Sequence, residues 1–138
     1  MNIDSIQNGI VIDHIAAGNG MKLYELLELD KLDCSVALLR NVVSQKLGKK
    51  DIIKIDREFD VNLDLVGFVS PEATVVVIKN GEIVEKKKLD LPEVLINVIR
   101  CKNPRCISMT EQEIVHEFRL SDRENRVYRC VYCETKAN

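Results

Sequence analysis

Four of the five cysteines in this chain fall in two pairs near its C-terminal end, Cys101 and Cys106 in CKNPRC and Cys130 and Cys133 in CVYC. The spacing C-x4-C-x23-C-x2-C constrains the fold more than any other feature. Each pair makes a short turn whose two thiolates face one point, and a hairpin between the turns lets four sulfurs surround one ion. Four protein ligands leave no open position for water, so the pattern predicts one structural Zn2+ per chain and not a catalytic metal. Energetics agree: a terminal piece of under ~40 residues buries too little surface to hold itself folded, whereas structural zinc contributes on the order of 10 kcal/mol. A redox dithiol needs its Cys-x-x-Cys at the start of a helix, and only five residues follow Cys133. His116, in an alternating segment, reads as a packed or surface residue, and Cys34, in CSVALL, as a small core residue.

The 138 residues, 46% of them hydrophobic, suffice for one ordinary domain or two small ones. ATVVVI at 73–78 is the longest β-branched apolar run, far short of the ~20 residues a bilayer requires. The opening stretch MNIDSIQNG has neither the basic region nor the apolar core of a signal peptide, and the expectation is a cytoplasmic protein with no membrane partner. In that reducing compartment clustered cysteines are metal ligands more often than disulfides. Lys plus Arg number 20 against 22 Asp plus Glu, and seven against six over residues 101–138. That balance argues against a nucleic-acid partner and suits a protein-docking module.

Along the chain, IDSIQNGIVIDHI reads as strand, tight turn, strand: a short apolar segment, a turn at Asn8-Gly9 and a β-branched run from Ile10 to Ile15. Asn19 and Gly20 cap a helix in MKLYELLELD, with Leu23, Leu26 and Leu27 on one stripe. Strands follow in CSVALLRNVVS and KDIIKID around the turn signal Gly48-Lys49. In DVNLDLVGFVSP, Asn62 as a cap and Pro71 as a stop predict a short helix. Asn80-Gly81 then joins two β-rich runs as a hairpin. Strand, helix, strand, strand, helix, strand plus an added hairpin strand is a split βαβ pattern, predicting an α+β chain with a ferredoxin-like sheet over residues 1–92. Asp90 to Glu93 resemble a helix-start signature, so a connecting helix is expected over 93–100, followed by a small β-rich zinc domain over 101–138 with two strands around SDREN.

In the larger domain, Asp13 and His14 in VIDHI, Lys50 and Lys54 in KKDIIKI, and Lys86 to Lys88 together suit a phosphorylated ligand. Lys50, Ile52 and Lys54 share one strand face, which fits either an anion or solvent on that side. Lysines also guard edge strands, the simpler reading of the Lys86–Lys88 run. Asp13 and His14 point to opposite faces of a regular strand and converge on one ligand only where the strand ends or bulges.

GIVIDHI, GKKDIIKI, PEATVVVI and CKNPRC…CVYCE, in this order over nearly the whole length, resemble the regulatory chain of aspartate carbamoyltransferase. The resemblance implies a non-catalytic chain with a ferredoxin-like nucleotide-binding domain and a zinc domain that docks on a catalytic chain. It further implies regulatory dimers within a hetero-oligomer and control of pyrimidine synthesis by ATP, CTP and UTP. By matching motif, it implies that Asp13 holds the ribose, that His14 and Lys86 face the phosphates, that Lys54 contacts base or ribose and that Lys50 serves a second nucleotide. Ile3, Asp4, Ser5 and Ile6 would close over the base, and Val11, Ile78 and Ile83 would line the pocket. Val76 and Gly81 stand where the family can carry an amide and an aromatic. On the residues alone, two other classes stay open: a zinc-ribbon nucleic-acid binder, which the charge balance opposes, and a sensor of another small effector. A dithiol redox enzyme ranks last.

Overall fold

The computed structural model describes residues 6–137. The chain separates into two compact units, Met1–Asp90 and Leu91–Asn138. No helix among the described residues is long and apolar enough to cross a bilayer.

The first unit is a five-stranded antiparallel sheet with two helices. Its elements are β1 (Gly9–Ala16), α1 (Gly20–Leu26), a 3-10 turn (Leu29–Lys31), β2 (Val36–Ser44), β3 (Gly48–Ile55), α2 (Leu63–Val69), β4 (Thr74–Lys79) and β5 (Glu82–Lys88). The strand order β2-β3-β1-β4-β5 is the split βαβ arrangement with β5 added at one edge. Period-two alternation sorts the side chains. Ile10 and Ile12 of β1 pair with Ile55 and Ile53 of β3, Ile12 also pairs with Val75 of β4, and all five are buried. On that side lie Leu23 of α1 and Leu65, Val66 and Val69 of α2, also buried. Asn62 starts α2 by accepting the Leu65 N–H at 3.2 Å. Asn19 starts α1 differently: its side-chain amide donates to the Val69 carbonyl and makes no cap.

Three expectations are corrected. Ile6 to Asn8 form no strand before the turn; β1 begins at Gly9, where a Cβ would stand 2.2 Å from the Ile55 carbonyl oxygen, so only glycine lets the chains approach there. Cys34 is half-buried and not a core residue. Most consequentially, the helix expected over 93–100 is a strand.

That strand, β6 (Val94–Ile96), belongs to the second unit, which further contains a one-turn helix α3 (Ile107–Thr110), β7 (Glu117–Asp122) and β8 (Val127–Cys130) in a three-stranded sheet ordered β6-β7-β8. The run Val94, Leu95, Ile96 alternates around a fully buried Leu95, which pairs with Phe118. Asn97 then turns left-handed at φ 57 and donates its N–H to the His116 carbonyl. The β-branched content of VLINVI suits a half-buried sheet position, and a two-stranded hairpin alone would leave Phe118 uncovered. Phe118 and Tyr128 complete this small core, with the Tyr128 hydroxyl donating to the Pro92 carbonyl.

Candidate functional site

Two sites emerge, one in each unit. In the first unit the sheet face opposite the helices is open. Lys54 of β3 pairs with Val11 of β1, Val11 with Val76 of β4, and Val76 with Lys86 of β5. Residues directly opposite share a face, so two lysines end one row across four strands, roughly 14 Å apart at the backbone, with two valines between them. Above this row lies a cavity of about 370 Å³. Its floor is apolar, from Val11, Ile52, Val76 and Ile78, and Ile6 and Ile83 add to its wall.

Its polar end comes from a β-bulge. Between the pairs Ile12–Ile53 and Ile15–Asp51, β1 spends three residue steps against two on β3, so Asp13 and His14 together oppose Ile52. His14 takes a left-handed backbone, φ 58, to make room. The bulge turns both side chains onto the cavity side, which a regular strand forbids. Asp13 Oδ1 accepts the His14 N–H at 2.6 Å and the Lys50 ammonium at 2.9 Å. Burial alone raises the Asp13 pKa; the Lys50 and His14 N–H bonds outweigh it and hold the carboxyl below its ordinary value of 3.8. His14 Nδ1 is buried and has no hydrogen-bond partner among the described residues, its nearest acid being Asp13 Oδ2 at 4.0 Å. A buried imidazole nitrogen without a partner is costly unless something else completes it.

A carboxylate lowered on folding stabilises the fold above its unfolded pKa and loses that contribution as pH falls through the folded value. The stability gap between wild type and Asp13→Asn is therefore expected to be widest near neutrality. It should close in urea melts as the pH falls below the ordinary carboxylate value of 3.8. A gap that does not change with pH would show that the Lys50 pair does not stabilise the fold.

Of the residues singled out by sequence, Ile6, Val11, Asp13, His14, Lys54, Ile78, Ile83 and Lys86 line the cavity. Lys50 stands outside the lining and reaches the site through Asp13. Ile3, Asp4 and Ser5 lie outside the described residues. Val76, which stands where the family can carry an amide, lines it too, and Ile52 and Thr74 line it without having been among the expected contacts; Ile52 shares the Lys54 face by simple alternation, and Thr74 lies opposite Asp13. Gly81 (φ 77) and Asn80 (φ 54) form the β4–β5 turn, both left-handed, and Gly81 N–H donates to the Gln7 carbonyl.

In the second unit the sulfurs of Cys101, Cys106, Cys130 and Cys133 all lie within 4.8 Å of one another. Cys101 and Cys133 are 3.5 Å apart, Cys106 and Cys130 3.6 Å, far too long for disulfides. Thiolates around zinc at ~2.3 Å stand roughly 3.8 Å apart, so the cluster fits a metal with little adjustment. Backbone N–H groups support the charge: that of Asn103 points at Cys101, those of Tyr132 and Cys133 at Cys130. Without an ion such crowding is unfavourable for thiolates, and burial pushes the Cys101 thiol up to about 12. His116 stays outside the cluster and accepts the Cys101 N–H on Nδ1 at 3.5 Å.

Comparison with known proteins matches residues 1–90 to the family of the aspartate carbamoyltransferase regulatory chain, allosteric domain. Residues 93–138 match the metal binding domain of the same regulatory chain. An aspartate carbamoyltransferase regulatory chain from Clostridium botulinum is 52% identical over 134 residues, 97% of this chain and 92% of the relative. One from Bifidobacterium longum is 47% identical over 137 residues, 99% of each chain. One from Clostridium tetani is 48% identical over 135 residues, 97% of this chain and 94% of the relative.

Proposed function

This chain belongs to the aspartate carbamoyltransferase regulatory chain family, and from that premise we propose that its sheet-face cavity binds ATP, CTP and UTP as competing effectors of a separate catalytic chain. The observation that carries the reading is the row Lys54–Val11–Val76–Lys86 beside a bulge that presents Asp13 and an unpartnered His14 Nδ1. A nucleotide is an apolar plate joined through a diol to a polyanion, and the cavity offers surfaces in that order. The base rests on Val11, Ile52, Val76 and Ile78, with Lys54 at its edge. Asp13, kept ionised by Lys50, accepts from the ribose hydroxyls. His14 and Lys86 meet the phosphates, where charge-assisted bonds are strong. Ile6 adds to the wall over the base, and Lys50 also faces a second nucleotide.

The chain itself is non-catalytic and cytoplasmic, and two copies pair as a regulatory dimer within a hetero-oligomer. The four cysteines hold one Zn2+, which as a dication lets four thiolates sit together and so keeps residues 91–138 folded for docking on the catalytic chain. Control is linkage: an effector shifts activity only by binding the low- and high-activity assemblies with different free energies, typically by about 1–3 kcal/mol.

Calorimetric titration of the metal-loaded chain with ATP and CTP, alone and in competition, is the test. Saturable and mutually exclusive binding is expected. Absence of heat from a folded, metal-replete sample would sink the reading.

A further inference from the structure

Asp51 lies in β3 between Lys50 and Ile52, and its side chain is fully buried. Its Oδ2 accepts backbone N–H groups from Gly18 at 3.1 Å and Gly20 at 2.9 Å, and its Oδ1 accepts that of Asn41 at 3.0 Å. These donors come from two separate segments. Gly18 and Gly20 follow β1 just past its bulge, and Gly20 opens α1. Asn41, left-handed at φ 59, is the extra residue of a second bulge, in β2 between the pairs Leu39–Ile52 and Val42–Lys50. One buried carboxylate thus ties the far side of the β1 bulge and the β2 bulge to the same point of β3. The fit is close: a Cβ on Gly20 would stand 2.8 Å from both Asp51 Cβ and Oδ2.

Asp51 is absent from the cavity lining, yet its backbone neighbour Lys50, on the opposite face, holds Asp13. Pairing resumes after the β1 bulge at Ile15–Asp51. Consecutive residues of β3 therefore grip the bulge from both faces of the sheet, Lys50 by the carboxylate of Asp13 and Asp51 by the backbone that follows His14. A left-handed histidine within a strand persists only where its surroundings over-determine it. We propose that Asp51 is a positioning residue of the effector site, acting through the β1 bulge to fix Asp13 and His14 without touching the ligand. This rests on the nucleotide reading above.

Asp51→Asn keeps the shape but replaces one acceptor oxygen with an amide donor, so at least one of the three N–H groups loses its partner. ATP binding is titrated for wild type and for the variant at a temperature where circular dichroism shows the variant folded. The expected result is at least ten-fold weaker ATP binding. The imidazole resonances of His14 should move, while those of His116, in the other unit, stay in place. Wild-type affinity and an unmoved His14 in the folded variant would overturn the inference and leave the nucleotide reading intact. Failure of wild type to bind ATP removes the nucleotide reading, and the inference with it.

If Asp51→Asn does not fold, wild-type hydrogen exchange decides. Linkage is reciprocal, so a clasp that favours nucleotide binding must be favoured by it. Saturating ATP should slow exchange at Gly18, Gly20 and Asn41 more than at Val66 and Ser70 of the α2 region. Equal slowing would overturn the proposal.

Discussion

Cys106→Ser is expected to empty the metal site and unfold residues 91–138, while the first unit keeps its fold. Cys106 Sγ lies 3.6 Å from Cys130 Sγ and 3.1 Å from Ser108 Oγ, deep in the cluster, and the residue is buried. A serine there offers a weak neutral ligand, leaving three cysteines that repel one another when ionised. The unit is 48 residues by its bounds 91–138, with one three-stranded sheet and a core built on Leu95, Phe118 and Tyr128. Domains of that size are marginal without a staple, and structural zinc supplies on the order of 10 kcal/mol. Metal analysis should fall from one ion per chain to near none, amide protection should vanish from β6, β7 and β8, and mixing with catalytic chain should yield no complex. Protection in β1 to β5 should persist. An assembled complex from the metal-free variant would show that the cysteine cluster does not hold the docking surface.

Much of this architecture was legible because local signals and tertiary needs agreed. Asn80-Gly81 forms a two-residue hairpin turn because both residues take positive φ cheaply. Asn62 caps α2 because its side-chain oxygen reaches the Leu65 N–H. The metal cluster was legible for a different reason: four cysteines in two turns are a chemical pattern whose geometry needs little help from the rest of the fold. Legibility failed where two periods overlapped or where the cause was remote. VLINVI satisfies helix and strand spacing alike over six residues, and the need to cover Phe118 decided for the strand.

The sheet-face cavity shows the same division. Lys54 stood out in KKDIIKI and Lys86 only within the Lys86–Lys88 run, but their shared row follows from the register of three strand pairs, which no local stretch encodes. Convergence of Asp13 and His14 required a bulge, and the bulge is held by Lys50 and by Asp51, two strands later in the chain. Asp51 itself reads in KKDIIKI as one more solvated charge. Its burial is intelligible only once Gly18, Gly20 and Asn41 turn their N–H groups toward it.

Lys54→Ala and Lys86→Ala are each expected to weaken ATP and CTP binding by about ten- to a hundred-fold, since a hydrogen bond to a charged group contributes about 1.5–3 kcal/mol. Lys54 is half-buried in the cavity wall and Lys86 lies at its exposed edge, so the loss at Lys86 should shrink more steeply with added salt. The two lysines stand roughly 14 Å apart along the row yet meet one nucleotide and so share a partner, and the double variant should bind more weakly than either single variant. Metal content should stay unchanged in all three, because the cysteines belong to the other unit. Calorimetry of the four proteins at two salt concentrations, with metal analysis of each, reads all of this at once. Wild-type affinity in both single variants would remove the lysine row from the binding site. Equal losses at every salt concentration would instead place Lys86 in a dry contact, with the phosphates seated deeper against His14.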